Sequence, residues 1–181
     1  MNSRIKKLTL SAICAALGVV IMYLGSLIEV LDLTTVFMAS LLIVFLQIEL
    51  SGIWPWLAWG VTSVLAVMLL PNKFCAFEYA FFGGIYPLIK YYLEKLPRRL
   101  AYALKMVAFN LLFAGVMMVS VWLYGLEEIT LPVIGTLSKG GYFIILFVLG
   151  NMIFVLFDHL LTRMIIFYED RWRARVQRLL K

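Results

Sequence analysis

Charged residues are scarce in this chain, and so are the residue types that most metal sites and disulfide frameworks require. Of 181 residues, 14% are charged, two are cysteines and only His159 is a histidine. A soluble domain is about a quarter charged, so water is not expected to be the main solvent of this chain. The same counts argue against a disulfide framework, a cysteine metal cluster and a histidine zinc site.

Familiar catalytic motifs are also missing. No glycine-rich run ends in Gly-Lys-Ser/Thr, so the chain is not expected to hydrolyse ATP by itself. We find no glycine-flanked serine nucleophile with a histidine base and no paired aspartates at metal-binding spacing. The sequence therefore predicts a protein that is not an enzyme, with no catalytic residue, metal or cofactor.

Long apolar runs are what the sequence does contain. It is 64% hydrophobic with a mean hydropathy of +0.99, and a crossing of the ~30 Å hydrocarbon layer needs about 20 such residues. Breaks in the pattern predict an all-α, polytopic membrane protein in which residues 1–181 form a single transmembrane domain. Its six transmembrane helices are predicted near 8–30, 34–47, 52–70, 75–92, 102–123 and 141–161. The second is short, and whether it spans fully is left open.

Basic residues predict the orientation, because lysine and arginine accumulate on the cytoplasmic side. They precede the first helix, flank the fourth and fifth, and follow the sixth, whereas only Lys73 and Lys139 fall on the other face. An even number of crossings then places both termini in the cytoplasm of a cell-membrane protein, of the bacterial inner or plasma membrane type. The basic tail, 171–181, is expected to lie on anionic lipid headgroups rather than on nucleic acid.

The fourth predicted helix offers a candidate substrate site in the outer half of the membrane. Glu78, Phe82 and Tyr86 recur every fourth residue and would share a stripe, with Tyr79 beside it. A carboxylate and aromatic rings suit a cationic or flat ligand. The alternative is that Glu78 sits at the headgroup boundary and pairs with Lys73.

Polar residues on the fifth and sixth helices have two interpretations each. Asn151 is a candidate ligand contact or, like Asn110, a hydrogen bond between helices. Trp122 joins the predicted substrate-binding set, although aromatic residues at helix ends also anchor proteins at the membrane surface. Asp158 is expected to pair with Lys105 in a structural role rather than in a proton relay. The loop 127–139 could fold over an outward-facing pocket or merely connect two helices.

The first helix carries small residues four apart. Ser11, Ala12, Ala15 and Ala16 give two overlapping pairs on which another helix can pack closely. The pattern fits either an internal helix contact or an external partner.

With its basic start, the opening Lys7-Leu-Thr-Leu-Ser-Ala-Ile-Cys-Ala-Ala-Leu, six helices and a basic end, the chain resembles the S components of energy-coupling factor (ECF) transporters. These are membrane subunits that capture vitamins and other micronutrients for uptake. The resemblance implies that Ala12 and Ala16 contact a transmembrane coupling subunit driven by two ATPases. It also implies ligand capture in the outer half. No residue set diagnostic of riboflavin, thiamine, biotin or folate is present, so the substrate stays open.

Three functions are therefore compared. The leading hypothesis is a substrate-binding subunit of an ATP-driven micronutrient transporter, embedded in the lipid bilayer. The second is a structural or assembly protein of the membrane that binds no ligand. The third, a small lipid-modifying enzyme, would need Glu78, Asp158 or His159 as its catalyst, and their predicted separation across the bilayer argues against it.

Overall fold

A computed structural model of the chain describes residues 3–50, 52–124 and 139–180, with side chains at 4–28, 30–50, 52–119 and 144–178. These residues are helical almost throughout, and no strand occurs among them, which confirms the all-α class for this part of the chain. The helices are α1 (Ser3–Ser26), α2 (Asp32–Glu49), α3 (Trp54–Leu69), α4 (Lys73–Glu78), α5 (Ile85–Leu93), α6 (Arg98–Tyr124), α7 (Lys139–Arg171) and α8 (Arg173–Leu180).

Four stretches of these helices are long and apolar enough to cross a membrane. They are Arg4–Ser26, Asp32–Glu49, Arg98–Val119 and Ile144–Arg171. The second helix is longer than the predicted range 34–47, since α2 has 18 residues. By contrast, α3 has 16 residues and is about 24 Å long. The four long apolar stretches are characteristic of a membrane protein.

α1, α2, α3, the segment formed by α4 and α5, α6 and α7 alternate in direction, so the same groups of termini meet at each end of the bundle. Gly25, near the end of α1, lies against Thr35 near the start of α2, and Gly18 lies against Thr62 of α3. At the other end, the Tyr168 hydroxyl of α7 donates to Glu49 of α2, 2.9 Å away. We call the end where α1, α3 and α6 begin and α2, α5 and α7 end the basic end.

The interior divides into two packed clusters. The first joins α1 to α5 and includes Met22, Val36, Leu46 and Tyr79, each at most 1% exposed. The second, which we call the aromatic cluster, joins α2, α5, α6 and α7. Its rings stack or meet edge to face, with Phe109 and Phe154 centroids 4.3 Å apart. Its aromatic members include Phe37, Phe82, Tyr86, Phe109, Phe113, Phe154 and Phe157.

The predicted fourth helix is interrupted between α4 and α5. Residues Tyr79–Gly83 form a π-helical turn, closed by a bond from the Gly84 amide to the Tyr79 carbonyl, 2.8 Å apart. A π turn contains one extra residue per hydrogen bond, so it shifts the register of the helix after it. The four-residue spacing that predicted one continuous stripe from Glu78 to Tyr86 therefore does not hold across this turn.

Two helix connections depend on residues suited to sharp turns. Gly52 lies between α2 and α3 with a φ of 67°, a left-handed conformation that glycine adopts without steric cost. Asn72 caps α4, its side chain accepting from the Phe74 amide at 3.0 Å, as asparagine commonly does at an N-cap. Both turns keep the connections between neighbouring helices short.

Candidate functional site

A lysine buried at the basic end is the centre of the most polar site among the described residues. Lys90 of α5 is 1% exposed, and its ammonium group contacts a carboxylate oxygen of Asp158 in α7. It also lies 2.7 Å from Glu94 Oε1 and 2.8 Å from Thr162 Oγ1. An ammonium group has three protons, so these three acceptors satisfy it.

A second lysine extends the site to α6. Lys105 Nζ lies 2.7 Å from Glu94 Oε1 and 3.2 Å from Asp158 Oδ1. The Tyr86 hydroxyl donates to the same Asp158 oxygen at 2.7 Å. We call Lys90, Glu94, Lys105 and Asp158 the lysine–carboxylate network. It contains two positive and two negative groups, so its charges cancel.

The network ties three helices together rather than presenting a reactive group. Buried charges are tolerated only when they are paired and hydrogen-bonded, and each of its members has at least two polar contacts. The predicted pairing of Asp158 with Lys105 is confirmed. Lys90 was missed, because a lysine near a helix end was interpreted only as an orientation signal. The Lys90 and Glu94 spacing of four residues was the available clue.

Three aromatic residues of the predicted substrate site, Tyr79, Phe82 and Tyr86, pack in the interior. Tyr86 is fully buried and stacks on Phe82, with ring centroids 5.6 Å apart. Tyr79 is 1% exposed and belongs to the other cluster, beside α3. The structure thus separates Tyr79 from Phe82 and Tyr86, and it brings Tyr86 to Asp158 instead.

Glu78 lies at the opposite end of the bundle from the network. It is half-buried near the start of α2, where Asn72 donates to the Asp32 carboxylate. It makes no ion pair with Lys73, whose ammonium group instead caps α3 by donating to the Val67 and Leu70 carbonyls at 2.8 and 2.9 Å. The alternative pairing of Glu78 with Lys73 is therefore wrong in this structure.

Asn151 pairs with Asn110 between α7 and α6. Each amide donates to the other's oxygen, at 3.1 and 3.3 Å, and each also donates to the carbonyl one turn earlier in its own helix. This is the interhelical bond that was the alternative to ligand contact. Asn151 also borders an open, mainly apolar groove of about 510 Å³.

The asparagine pair should contribute a measurable coupling energy. We expect Asn110→Leu and Asn151→Leu each to lower the free energy of unfolding in detergent, because each leaves the other amide without its partner. The double variant should lose less than the sum, with a coupling of about 0.6–2 kcal/mol. A coupling of zero in this double-mutant cycle would mean that the two amides act independently.

Other predicted residues lie at the surface or beyond the described part. Ala12 and Ala16 are exposed on α1, whereas Ser11 and Ala15 are buried. His159 is exposed and accepts from Arg163 Nε at 3.4 Å. The Trp122 side chain lies outside the described residues, as does the loop 125–138, which holds nearly all of the predicted lid.

Comparisons with family models, with curated proteins and with solved structures gave no match to this chain. We therefore infer the function from the residues and their geometry. In the described residues no group of three or more histidine, cysteine, aspartate or glutamate side chains is placed to hold a metal ion.

Proposed function

We propose that this chain is the membrane-embedded substrate-binding subunit of an ATP-driven micronutrient transporter. In this proposal it binds a vitamin or related small molecule from outside and docks on a transmembrane coupling subunit, which two ATPases drive. The observation that carries the proposal is the division of the small residues of α1 between a buried pair and an exposed pair.

The exposed pair supports helix docking from the lipid. Ser11 and Ala15 are 5% and 4% exposed and face the neighbouring helices. Ala12 and Ala16 face outward, between the exposed Leu8 and Val20 on the same stripe. In lipid, helices associate where small residues let their backbones approach closely. Since the fold does not use this pair internally, a shallow notch between two large side chains is left for a partner helix.

The proposed topology has six crossings with both termini in the cytoplasm. The four long apolar helices supply four of them. The fifth is α3, and the sixth is 73–93, which contains α4, the π turn and α5 and is about 30 Å long. The two shorter crossings pack against the longer ones. The bilayer adapts to their shorter length at a modest cost in free energy. The basic end then faces the cytoplasm, in agreement with the positive-inside rule.

The outer half is proposed to hold the substrate near Glu78. The carboxylates of Glu78 and Asp32 lie at the end of the bundle opposite the basic end. The side-chain amide of Asn72, which lies between α3 and α4, donates to Asp32. Carboxylates at a boundary with water favour a ligand that carries a cationic or hydrogen-bond-donating group. We therefore expect Glu78 to contact the substrate, whereas Phe82 and Tyr86 support the site from the aromatic cluster.

Bulky substitutions on α1 test the docking surface. We expect Ala12→Trp with Ala16→Trp to reduce ATP-dependent uptake and co-purification of the two ATPases at least tenfold, about 1.4 kcal/mol or more of lost association energy. Thermal stabilisation of the detergent-purified protein by its substrate, sought among water-soluble vitamins and precursors, should be unchanged. The two measurements separate docking from ligand capture.

Ala103→Trp is the matched control, because Ala103 is also an exposed alanine near the basic end, but on α6. It should leave uptake and co-purification at the level of the unaltered protein. If the double α1 variant retains full uptake, the docking surface is wrong. If no compound stabilises the folded protein, the structural or assembly function is favoured instead.

A further inference from the structure

A buried glutamine without a hydrogen-bond partner points to a second binding site. Gln47 lies in the last turn of α2 at the basic end and is 4% exposed. Neither its amide nitrogen nor its amide oxygen has a partner among the described residues. Leaving both atoms of a buried amide unpaired is costly, so an amide of this kind calls for a ligand or water that completes its bonds.

Gln47 lines a cleft of about 260 Å³ between α2, α5 and α7. Val44, Ile48, Pro87 and Ile165 form apolar walls around it. The exposed side chains of Glu94, Lys95 and Glu169 stand at the rim. Besides Gln47, the buried Lys90 lines the cleft, and a mostly apolar recess with a few polar groups is the usual construction of a small-molecule site.

The charged groups around the cleft already have partners. Lys90 and Glu94 belong to the lysine–carboxylate network. Glu169 accepts from Arg173 at 3.1 Å, and Lys95 lies 4.2 Å above the Tyr91 ring. An ionic ligand would have to displace one of these contacts, so the unpaired Gln47 amide is the group that selects the ligand.

We propose that this cleft binds a small, uncharged, planar molecule that carries a hydrogen-bond donor beside an acceptor, such as a carboxamide, a lactam or the amide edge of a nucleobase. Such an edge completes both bonds of the Gln47 side chain at once, and its apolar body lies against the apolar walls of the cleft. The site lies at the opposite end of the bundle from Glu78 and does not depend on the proposed transport function.

Matched probes test the proposal on the full chain in detergent. Uracil and benzamide each carry the required edge, whereas 1,3-dimethyluracil and N,N-dimethylbenzamide have lost the donor. At about 10 mM, a probe with a 0.1 mM dissociation constant is at 100 times that constant and should raise the melting temperature clearly. We expect uracil or benzamide to do so, and each dimethyl analogue to bind at least tenfold more weakly.

Variants assign the effect to Gln47. Gln47→Met keeps the length of the side chain without its polar atoms, and it should abolish the response to the probes while retaining or raising the basal melting temperature. Gln47→Glu, in case the first variant fails to fold, should weaken probe binding at least tenfold. Glu78→Gln should leave the response unchanged.

Three results would overturn the proposal. One is a flat response of the unaltered protein to both probes, which would mean that water alone completes the Gln47 bonds. Another is an equal response from Gln47→Met. The third is loss of the response in Glu78→Gln rather than in the Gln47 variants. This result would place the probes in the outer site, so it would support the proposed function and reject the cleft at Gln47.

Discussion

Replacing Asp158 with alanine is expected to lower the free energy of unfolding by about 3–5 kcal/mol, the usual cost of removing one partner from a buried ion pair. The carboxylate contacts Lys90 directly and lies 3.2 Å from Lys105. Without it, two lysines share Glu94 alone at the junction of α5, α6 and α7. Thermal or denaturant-induced unfolding of the detergent-purified protein measures the loss of stability.

The size of this effect depends on burial rather than on the number of charges. The Lys90 side chain is 1% exposed, so it cannot turn toward water when its partner is removed. The Tyr86 hydroxyl also loses its acceptor. Asp170→Ala is the matched control, because Asp170 is exposed on the same helix, and exposed substitutions usually change stability by less than about 0.5 kcal/mol.

A paired replacement distinguishes lost attraction from an uncompensated charge. In Lys90→Met with Asp158→Leu, the remaining Lys105 and Glu94 still pair at 2.7 Å. Exchanging a buried ion pair for apolar residues is often neutral, so the double variant should recover at least half of the loss. A double variant as unstable as Asp158→Ala would contradict this account.

Gly84→Ala is expected to destabilise the protein by about 1–3 kcal/mol, the usual cost of adding a methyl group where there is no room for it. The added carbon would overlap with Trp59 Cδ1 and lie 2.8 Å from Tyr79 Cζ. Neither ring can move freely. The Trp59 indole donates to the Ala80 carbonyl at 3.1 Å, and Tyr79 is 1% exposed.

Gly60→Ala provides the opposite expectation on the neighbouring helix. Gly60 lies inside α3, and nothing is within 4 Å of the position that its added carbon would occupy. Alanine in a helix interior is favoured over glycine by up to about 1 kcal/mol. The melting temperature should therefore rise for Gly60→Ala and fall for Gly84→Ala. Equal changes would show that packing against Trp59 and Tyr79 is not the cause.

Hydropathy was sufficient to predict the four long helices. Apolar runs of sufficient length predicted α1, α2, α6 and α7 within a few residues at most ends, because crossing a bilayer imposes length and composition on a single segment. The end of α7 was an exception. It runs to Arg171 rather than 161, since a helix may continue beyond the apolar region once its backbone bonds are satisfied internally.

Pairing between distant residues was harder to predict. Lys90 and Asp158 are 68 residues apart, and no local pattern in the sequence shows that their side chains pair. An interhelical hydrogen bond was the alternative given for Asn151 and for Asn110, but the sequence did not indicate that the two would pair with each other. Gln47 was predicted only as the last residue of the second helix, whereas it lies buried within α2. Its burial depends on the way α5 and α7 cover it.

The π turn at Tyr79–Gly83 determines how this chain tolerates insertions and deletions. It contains one residue more than regular α-helix would need to cover the same hydrogen-bonded turn. Because the turn absorbs this extra residue, removing Ala80 alone would restore regular helix and leave the later residues of this segment in nearly the same orientation. Tyr86 and Lys90 would then still face Asp158. A distant relative without the turn would therefore align with a one-residue gap here, and its counterparts of Tyr86 and Lys90 would be found only if that gap were allowed.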